Sequence, residues 1–506
     1  MSLQYKELSM RSKYDTIIIG SGLGGLMTAL ILAKEGKKVA VLEQNKQFGG
    51  NLQTFLRQGI LFDTGVHYVG SLDKGQTLFN YFSYAGILPY LDLERMPQEG
   101  FDYICFGQEE IAYPHAQGDT SFVRALLPYF PQEHEALEQY ITKIKEVCDA
   151  FPLYRFRLEG SYDQSLLEQS LTEYIKSLTA NERLQAVLLG SNFLYAGVGG
   201  HTPLYVHSLS VNSYIESAWR FRQGGSQITS LLLRELRALG VELFAENKAL
   251  AFEYREGKIY SVITSQQQKY IATDFVSDID IKQLLSIAGR AHFRPAYYKR
   301  IEALTPVAGV FSLHLVLKKQ SLPYNIYWYR DSSQVWRATH YTTDTFPTTY
   351  MLSMNPPQDG GAYADNMTIL TYMNAQELSQ WENSTHTLTA PQGRGVDYEA
   401  FKAQKAQQLL EVVYQRFPQL KGCIVAQYTA TPLTYRDYIG NPTGAIYGYE
   451  KDILRTRQNH IMPQTHIPNL YVTGQSVNMH GLVGVTIGAV LTSMALLGGK
   501  IKGIGE

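Results

Sequence analysis

Residues 14–33 read YDTIIIGSGLGGLMTALILA, and from Thr16 onward this stretch carries no charged side chain. The β-branched run before the glycines is typical of a strand buried on both faces of a parallel sheet. The apolar residues after them predict a helix, and residues 37–42 predict a second strand that ends at Glu43. This order of strand, glycine turn, helix, strand and terminal acid indicates a dinucleotide-binding βαβ unit.

The glycines of this turn have separate tasks in dinucleotide binding. Gly20 permits the tight turn after the strand, and Gly22 lets the backbone approach a pyrophosphate. Gly25 allows the helix to pack closely on the strand, and Gly24 lies beside it in the same turn. The start of the helix offers amide hydrogens to phosphate, and Glu43 is placed to bind both hydroxyls of a ribose.

Two uncharged segments superficially resemble membrane signals, namely Thr16–Ala33 and His480–Gly499. Each is long enough, or nearly so, to suggest a signal peptide or a spanning helix. Both contain several glycines, and the first is followed by the acid that a nucleotide-binding unit requires. We interpret the first as strand, turn and helix, and the second as a buried C-terminal helix rather than a tail anchor.

Composition excludes several classes of protein. The 506 residues include 45 Lys and Arg against 46 Asp and Glu, so no basic stripe is available and we expect no nucleic-acid partner. The cysteines Cys105, Cys148 and Cys423 lie far apart, which argues against a disulfide framework and favours a reducing, cytoplasmic location. The sequence contains no zinc-binding spacing or Walker loop, and we predict no metal site.

The choice between NAD and FAD rests on segments beyond the acid. The pair Gly49 and Gly50 lets backbone approach a phosphate or the edge of a flavin. Near the C-terminus, residues 469–473 predict a buried strand that ends in glycine, and an apolar helix beyond it would direct its positive end at the flavin. We therefore predict FAD, bound also by these residues: Gln44, Gly49, Gly50, Asn51, Gly474, Gln475, Gly484, Val485 and Thr486.

These motifs resemble those of a known family. The segments 20–25, 48–50 and 473–475 are similar to the FAD-dependent phytoene desaturase-like family, and segments 62–70 and 481–484 resemble its retinol saturase branch. The resemblance runs nearly end to end. It implies an α/β fold in which a Rossmann-like FAD-binding domain, a parallel sheet with helices, is interleaved with an α+β substrate domain.

The domain boundaries follow from the distribution of the cofactor motifs. We assign 12–72, 205–290 and 455–506 to a discontinuous FAD-binding domain, and 73–204 and 291–454 to a substrate-binding domain. The resemblance also implies that backbone near Lys248 contacts the adenine. The sequence departs from the family pattern at Asn51, where an arginine is usual, at Ser476, where an acid is common, and at Asp278, where an asparagine is usual.

The resemblance implies an FAD-dependent oxidoreductase that saturates or desaturates a carbon–carbon double bond of a retinoid- or carotenoid-like polyene. Such a reaction moves a hydride between flavin and one carbon and a proton to or from its neighbour. The candidate catalytic residues are His67, Tyr68 and His480, with Tyr205 and His207 as further candidate proton donors. An aromatic content of 12% suits an apolar tunnel for an isoprenoid substrate.

Two other functions stay open on the sequence. One is an amine oxidase-like flavoenzyme with a different, polar substrate, which would require charged residues in the cavity. The other is a non-catalytic lipid or prenyl-protein escort on the same fold, against which the intact glycines and Glu43 argue. Because a polyene dissolves in lipid, the leading interpretation also predicts peripheral contact with a membrane.

Overall fold

The computed structural model describes residues 9–320, 325–355, 363–388 and 391–505. Its strands are β1 (Ser9–Ile19), β2 (Val39–Leu42), β3 (Thr54–Arg57), β4 (Ile60–Asp63), β5 (Val69–Gly70), β6 (Leu93–Arg95), β7 (Asp102–Phe106), β8 (Ala112–His115), β9 (Ala218–Phe221), β10 (Glu242–Phe244), β11 (Ala249–Arg255), β12 (Lys258–Thr264), β13 (Gln268–Ser277), β14 (Gly309–Gln320), β15 (Asn325–Tyr329), β16 (Thr349–Met354), β17 (Ala364–Met373), β18 (Ile424–Ala430) and β19 (Leu470–Val472). Its α-helices are α1 (Leu23–Lys34), α2 (Thr77–Ala85), α3 (Asp119–Leu126), α4 (His134–Asp149), α5 (Leu171–Leu178), α6 (Glu182–Leu188), α7 (Leu204–Glu216), α8 (Ser226–Ala238), α9 (Ile281–Ala288), α10 (Pro295–Glu302), α11 (Val396–Arg416), α12 (Pro432–Ile439), α13 (Thr456–Asn459) and α14 (Gly481–Leu497).

The first sheet, called here the nucleotide sheet, has the order β10-β2-β1-β13-β12-β11, with β19 also paired to β13. Strands β10, β2, β1, β13 and β19 run parallel, whereas β12 and β11 are antiparallel. Ile17 lies opposite Ala40 of β2 and Phe275 of β13. The chain thus folds as the predicted α/β Rossmann-like sheet, and β1 lies where the strand order changes direction, the usual place for a ligand.

Helices cover both faces of the nucleotide sheet, which explains the uncharged run in β1. Ile18 packs in a buried cluster with residues of α1, α8 and α14, whereas Ile17 and Ile19 pack on the opposite face with residues of α9. Side chains alternate across a strand, so a strand covered on both faces needs apolar residues at every position. Ile17 and Ile18 are accordingly fully buried.

The second sheet, called here the substrate sheet, has the order β18-β14-β17-β16-β15-β7-β8. One face packs against α11, where Leu409 and Val413 contact a cluster that includes Phe311 and Trp328. The other face carries Tyr327 of β15 and packs with residues of α4 and α7. This mixed sheet and its helices confirm the predicted α+β portion of the fold.

Both apparent membrane signals are parts of this core. Thr16–Ala33 forms the end of β1, the glycine turn and α1, and the C-terminal segment forms α14. Within the described residues, no helix combines the length and apolar character needed to cross a bilayer. The nucleotide sheet draws its strands from residues 9–42, 242–277 and 470–472, which accords with a discontinuous cofactor domain. The domain boundaries themselves stay a prediction.

Candidate functional site

The glycine turn connects β1 to α1 at the carboxyl edge of the nucleotide sheet. Gly20 has φ +98°, a left-handed conformation that a residue with a Cβ adopts only with strain. Gly22 precedes α1 with extended backbone, and as glycine it has no side chain to cap the first turn. No side chain of the turn caps α1; the amides of Gly22 and Gly25 face the buried carboxyl of Asp278, and the turn lines the adjoining cavity, where an anionic phosphate can approach the helix start.

Ser21 joins the acid at the end of β2 to the second glycine pair. Glu43 accepts hydrogen bonds from the amide of Ser21 at 3.2 Å, from its hydroxyl at 2.5 Å and from the amide of Asn45 at 2.8 Å. The Ser21 hydroxyl in turn accepts the amide hydrogen of Gly49 at 3.1 Å. These bonds hold the buried carboxylate of Glu43 at the cavity wall, in the position expected of a ribose ligand.

Remote segments meet at the glycine turn. A Cβ placed on Gly24 would lie 2.7 Å from the backbone of Gly474, which follows β19, and 2.6 Å from the carboxylate of Asp278, which follows β13. A Cβ on Gly25 would lie 2.5 Å from the carbonyl oxygen of Gly20. Glycine is required at both positions because backbone atoms, which cannot move aside as a flexible side chain can, lie within 2.7 Å of each added Cβ.

A continuous cavity extends from this turn to the substrate sheet. On the nucleotide side it is lined by the turn, by Glu43 and by further residues that include Gln44, Gly49, Gly50, Asn51, Lys248, Asp278, Gly474, Gln475 and Val485. On the other side its wall includes Leu194, Tyr214, Val310, Met351, Leu370, Tyr435, Ile446 and Tyr447. His67 and Tyr68 line the same cavity as these two sets of residues. The cavity therefore joins a nucleotide site to an apolar chamber.

The predicted FAD residues are mostly brought to this cavity, with three exceptions. Gly25 supports the turn from behind, and Gly484 packs on Met479, toward which its Cβ would come within 2.5 Å. Thr486 is fully buried outside the cavity lining. These three residues shape the backbone that carries the site instead of forming its surface. Their role in cofactor binding stays a prediction, as do the individual contacts of the others.

His67 and Tyr68 are the predicted catalytic residues that reach the cavity. His67 Nε2 is buried and has no hydrogen-bond partner among the described residues, so a bound molecule could supply one. Burial, assisted by the charge of Arg220, lowers the pKa of His67 to about 4. The hydroxyl of Tyr68 lies 2.8 Å from Asp102 Oδ2 and 2.7 Å from the hydroxyl of Tyr327.

The other candidate proton donors lie away from this wall. His480 Nε2 lies 2.9 Å from the carbonyl oxygen of Leu194, and its ring stacks on Tyr447 and lines a smaller neighbouring cavity. His207 places its two ring nitrogens 2.8 Å from the hydroxyls of Tyr140 and Tyr195. Tyr205 contacts the ring of Phe151. None of these three side chains lines the main cavity, and a role for His480, His207 or Tyr205 as a proton donor stays a prediction.

Sequence reasoning missed the polar residues behind the wall. Asp102 at the start of β7 and Arg220 in β9 are both buried, although each stands among aromatic residues in the sequence. A charged residue between Trp219 and Phe221 in a strand is a usable signal, because a buried charge requires a partner. The sequence contains no information on which partner that is, since Asp102 and Arg220 lie far apart along the chain.

The residues present fit FAD. The starts of α1 and α14 have no side-chain cap, and both adjoin the same cavity. The buried carboxylate of Glu43 lines this cavity and is hydrogen-bonded to Ser21 of the turn. His67 Nε2 lies at the cavity wall without a hydrogen-bond partner among the described residues. A parallel nucleotide sheet with this site, opening into an apolar chamber, defines an FAD-dependent oxidoreductase. The chain belongs to the family of flavin containing amine oxidoreductases, whose sequence profile matches residues 23–495.

Individual relatives agree with this assignment. The chain is 29% identical to all-trans-retinol 13,14-reductase of Homo sapiens, over 96% of this chain and 86% of that protein. It is 22% identical to prolycopene isomerase 2 of an Oncidium hybrid cultivar, over 95% of this chain and 83% of the other. The solved structure of putrescine oxidase bound to putrescine has a TM-score of 0.63 at 14% identity, covering 97% and 100% of the two chains, and shares the fold.

Asp278 is expected to make FAD binding dependent on pH. Its carboxyl is enclosed by the glycine turn; burial raises its pKa to about 7, which nearby amides of Gly25 and Gly22 oppose and the charge of Glu43 supports. Anionic phosphates bound at the turn favour the protonated carboxyl further, so binding takes up a proton. We expect FAD affinity to fall as pH rises through 7 and on to 9.

Asp278→Asn is the matched variant, since an amide has the size of the carboxyl but no proton to exchange. We expect its FAD dissociation constant, measured by quenching of flavin fluorescence, to stay nearly constant over the range in which that of the unchanged protein rises. If the FAD dissociation constant changes equally with pH in the two proteins, the pH dependence does not come from Asp278.

Proposed function

We propose that this protein is an FAD-dependent oxidoreductase that saturates, or in the reverse direction desaturates, a carbon–carbon double bond of a retinoid- or carotenoid-like polyene. The observation that carries the proposal is the composition of the chamber beyond the dinucleotide site. Its wall is built mainly of aliphatic and aromatic side chains from α7, α12, β14, β16, β17 and the segments that follow α6 and α12. A long apolar molecule is the ligand that such a wall accommodates.

Charge separates the two ends of the cavity. The charged residues among those described at its wall are Glu43, Lys248, Asp278 and Asp280, and all belong to the nucleotide sheet or to its connections. His67 is neutral near pH 7 because burial and the charge of Arg220 lower its pKa. An uncharged chamber favours a hydrocarbon over an ammonium ion, whose desolvation it would not compensate.

The protein chain orients the double bond, excludes water from the reacting carbons and supplies a proton. When bound, FAD supplies hydride transfer to or from a carbon atom. The apolar wall aligns a double bond that offers no polar group for recognition, and its side chains exclude water from the reacting carbons. His67 and Tyr68 are polar side chains on the wall beside the apolar chamber, which also carries the tyrosines Tyr214, Tyr435 and Tyr447, and we propose that His67 or Tyr68 holds the proton for the neighbouring carbon.

The relatives point in the same direction. Proteins described as retinol reductase and prolycopene isomerase act, by their names, on polyenes. A relative of Danio rerio that is 26% identical is described as an inactive all-trans-retinol 13,14-reductase, so the activity has to be measured directly. The amine oxidase alternative is favoured by the putrescine-bound neighbour, which shares the fold at low identity.

Half-reactions of the flavin test the proposal. We expect the purified protein to be yellow, and its anaerobically reduced flavin to regain the oxidised absorbance on mixing with retinol or a carotenoid carried in liposomes. The product should contain two more hydrogens than the substrate by mass spectrometry. In the parallel arm, oxidised protein is mixed with putrescine, and bleaching of the flavin would support an amine oxidase.

Gly24→Val, which is expected to lack FAD, serves as the control protein. Reoxidation by none of the polyenes, with bleaching by the amine, would overturn the proposal in favour of the alternative. A colourless protein that does not take up added FAD would support the lipid escort. Cosedimentation with the empty liposomes in the same assay tests the proposed peripheral contact with a membrane, which an apolar substrate dissolved in lipid requires.

A further inference from the structure

A buried polar network lies directly behind the cavity wall at Tyr68. We use this name for five side chains from separate elements: Tyr68, Asp102, Arg220, Asn325 and Tyr327. All five are at most 4% exposed. Tyr68 lies on the cavity wall, whereas Asp102 and Tyr327 do not. The network therefore meets the reaction chamber through the side chain of Tyr68.

Hydrogen bonds run through the network from the wall to Arg220. The Tyr68 hydroxyl is 2.8 Å from Asp102 Oδ2, and Asn325 Nδ2 donates to Asp102 Oδ1 at 2.8 Å. Arg220 donates to Asn325 Oδ1 and to the carbonyl oxygen of Met354. Each oxygen of the Asp102 carboxyl thus has a defined partner, and the partner on the cavity side is a tyrosine.

The surroundings of Arg220 hold two buried carboxyls, that of Asp102 in the network and that of Asp63 outside it, against one guanidinium. Burial raises the pKa of Asp102 to about 7, which the hydrogen bonds of Asn325 and Tyr68 and the charge of Arg220 oppose. Burial likewise raises the pKa of Asp63, which lies near Arg220 and accepts the amide hydrogen of Gly225 at 2.7 Å, to about 7. One guanidinium balances one carboxylate, so the second carboxyl holds a proton near neutral pH.

Other groups around Asp102 do not compete for this proton. His115, its partner on β8, places Nε2 3.0 Å from the carbonyl oxygen of Val187, and burial lowers its pKa to about 4. Tyr214 of α7 packs its ring on that of Tyr68, and burial raises its pKa above its usual value. His67 is also neutral at pH 7, and a neutral imidazole is a poor acid.

We propose that Tyr68 delivers the proton of the double-bond reduction and that Asp102, held by Asn325 and Arg220, replaces it through their hydrogen bond in the same step. Tyr68 is then the catalytic acid at the cavity, and Asp102 is a positioning residue and proton reservoir behind it. The inference rests on the proposed function and assigns its proton donor.

The protonation state of Asp102 sets the direction of the Tyr68 hydrogen. When Asp102 is ionised, Tyr68 donates to the carboxylate and its hydrogen points away from the chamber. When Asp102 is protonated, it donates to the Tyr68 oxygen, and Tyr327 can donate to the same oxygen at 2.7 Å. With both acceptor positions of the Tyr68 oxygen filled, its own hydrogen no longer points to Asp102 or Tyr327, and the proposal requires that it then points into the chamber.

Atoms and electrons balance in this step. A hydride from reduced flavin forms a C–H bond at one carbon, and the Tyr68 O–H bond breaks as a C–H bond forms at the neighbouring carbon. The Asp102 O–H bond breaks as the Tyr68 O–H bond is restored. Two electrons leave the flavin and saturate the double bond, and Asp102 remains as a carboxylate near Arg220 until water returns one proton.

Single-turnover reoxidation of the reduced flavin by the polyene tests the relay. We expect Tyr68→Phe and Asp102→Asn to slow this step on the order of 10²-fold or more, the usual contribution of a general acid. In the unchanged protein the rate should fall as pH rises through 7, because Asp102 loses its proton. Asp102→Asn should lose that pH dependence, and Asp102→Glu should restore part of it.

Two control variants separate the relay from structural damage. Tyr372→Phe removes another buried tyrosine hydroxyl from strand β17 of the same sheet, outside the network, and should leave the rate unchanged. Asp63→Asn should keep a pH dependence but move it to lower pH, because the charge of Arg220 then acts on Asp102 alone, whereas Asp102→Asn should abolish it. Flavin content and melting temperature are measured for every variant; if Asp102→Asn does not fold, Tyr68→Phe decides the test.

The infrared C=O band of a protonated carboxylic acid provides a readout that needs no substrate. We expect a band at pH 6 that shrinks by pH 8 and that Asp102→Asn reduces. Wild-type rates in Tyr68→Phe, or an unaltered band and pH profile in Asp102→Asn, would overturn the inference while leaving the proposed function intact. Failure of the unchanged protein to be reoxidised by any polyene would instead remove the proposed function, and the relay with it.

Discussion

Gly24→Val is expected to yield a protein without bound FAD. Any Cβ at this position would meet the backbone of Gly474 at 2.7 Å and the carboxylate of Asp278 at 2.6 Å, and valine adds two methyl groups beyond it. Because Gly474 and the turn belong to segments at opposite ends of the chain, the two walls of the dinucleotide site must separate. Overpacking of this kind costs ~1–3 kcal/mol or more, which alone lowers affinity by about 10- to 100-fold.

The measurement is the ratio of flavin to protein absorbance after purification and after incubation with excess FAD. Gly393→Val is the matched control, since Gly393 is exposed and a Cβ there would meet no atom within 4 Å. It should bind FAD like the unchanged protein. Normal flavin content in Gly24→Val would show that the C-terminal segment does not close the dinucleotide site as described.

Arg220→Met is expected to cause the largest loss of stability among single substitutions in the substrate sheet region. Its guanidinium is 1% exposed and donates to Asn325 and to backbone, and its charge acts on the carboxyls of Asp63 and Asp102. Methionine fills a similar volume but leaves both carboxyls without a cation. Removing one partner of a buried ionic group typically costs ~3–5 kcal/mol.

The stability lost in Arg220→Met should increase as pH rises. Both carboxyls have folded-state pKa values raised above those of the unfolded chain, so the folded protein binds more protons between about pH 4 and pH 7. Stability therefore falls as pH rises through this range, and more steeply without Arg220. Chemical denaturation at pH 5 and pH 8 should show the smaller deficit at pH 5.

Arg222→Met is the control for this experiment. Arg222 follows in the same segment, but its side chain is 35% exposed and pairs with Glu94 at 3.3 Å and with Asp92 at 3.8 Å. Exposed pairs of this type contribute about 0–1 kcal/mol, so a small change without pH dependence is expected. A loss of equal size in the two variants would show that the buried charge of Arg220 has no special role.

The nucleotide half of the protein could be predicted from sequence because its signals are local. The strand, the turn at Gly20, the helix and the acid at Glu43 occupy adjacent positions, and the structure confirms the α/β fold and the buried state of both uncharged segments. The composition of α14 allowed a tail anchor as well as a buried helix, and its packing on the nucleotide sheet settles the choice.

The catalytic half was only partly accessible to the same reasoning. His67 and Tyr68 were found because they follow the glycine of a recognisable motif, and both reach the cavity. His480 was predicted from its place before the flavin-side helix; its ring contacts Leu194 and Tyr447 of the main cavity wall and lines the smaller neighbouring cavity. Side-chain direction at a helix start depends on tertiary neighbours, and no local pattern contains them.

The local sequence therefore determined the cofactor class, because residue types at fixed spacing specify a turn, a helix start and an acid that together bind a dinucleotide. The local sequence did not determine the proton pathway, because that pathway depends on which residues from remote strands become neighbours. Asp102 forms hydrogen bonds with Tyr68, which is 34 residues away along the chain, and with Asn325, which is 223 residues away. Such contacts arise when whole sheets pack, and here β7 and β15 of the substrate sheet bring Asp102 and Asn325 to the segment before β5, where Asp102 lies within hydrogen-bond distance of Tyr68 at the cavity.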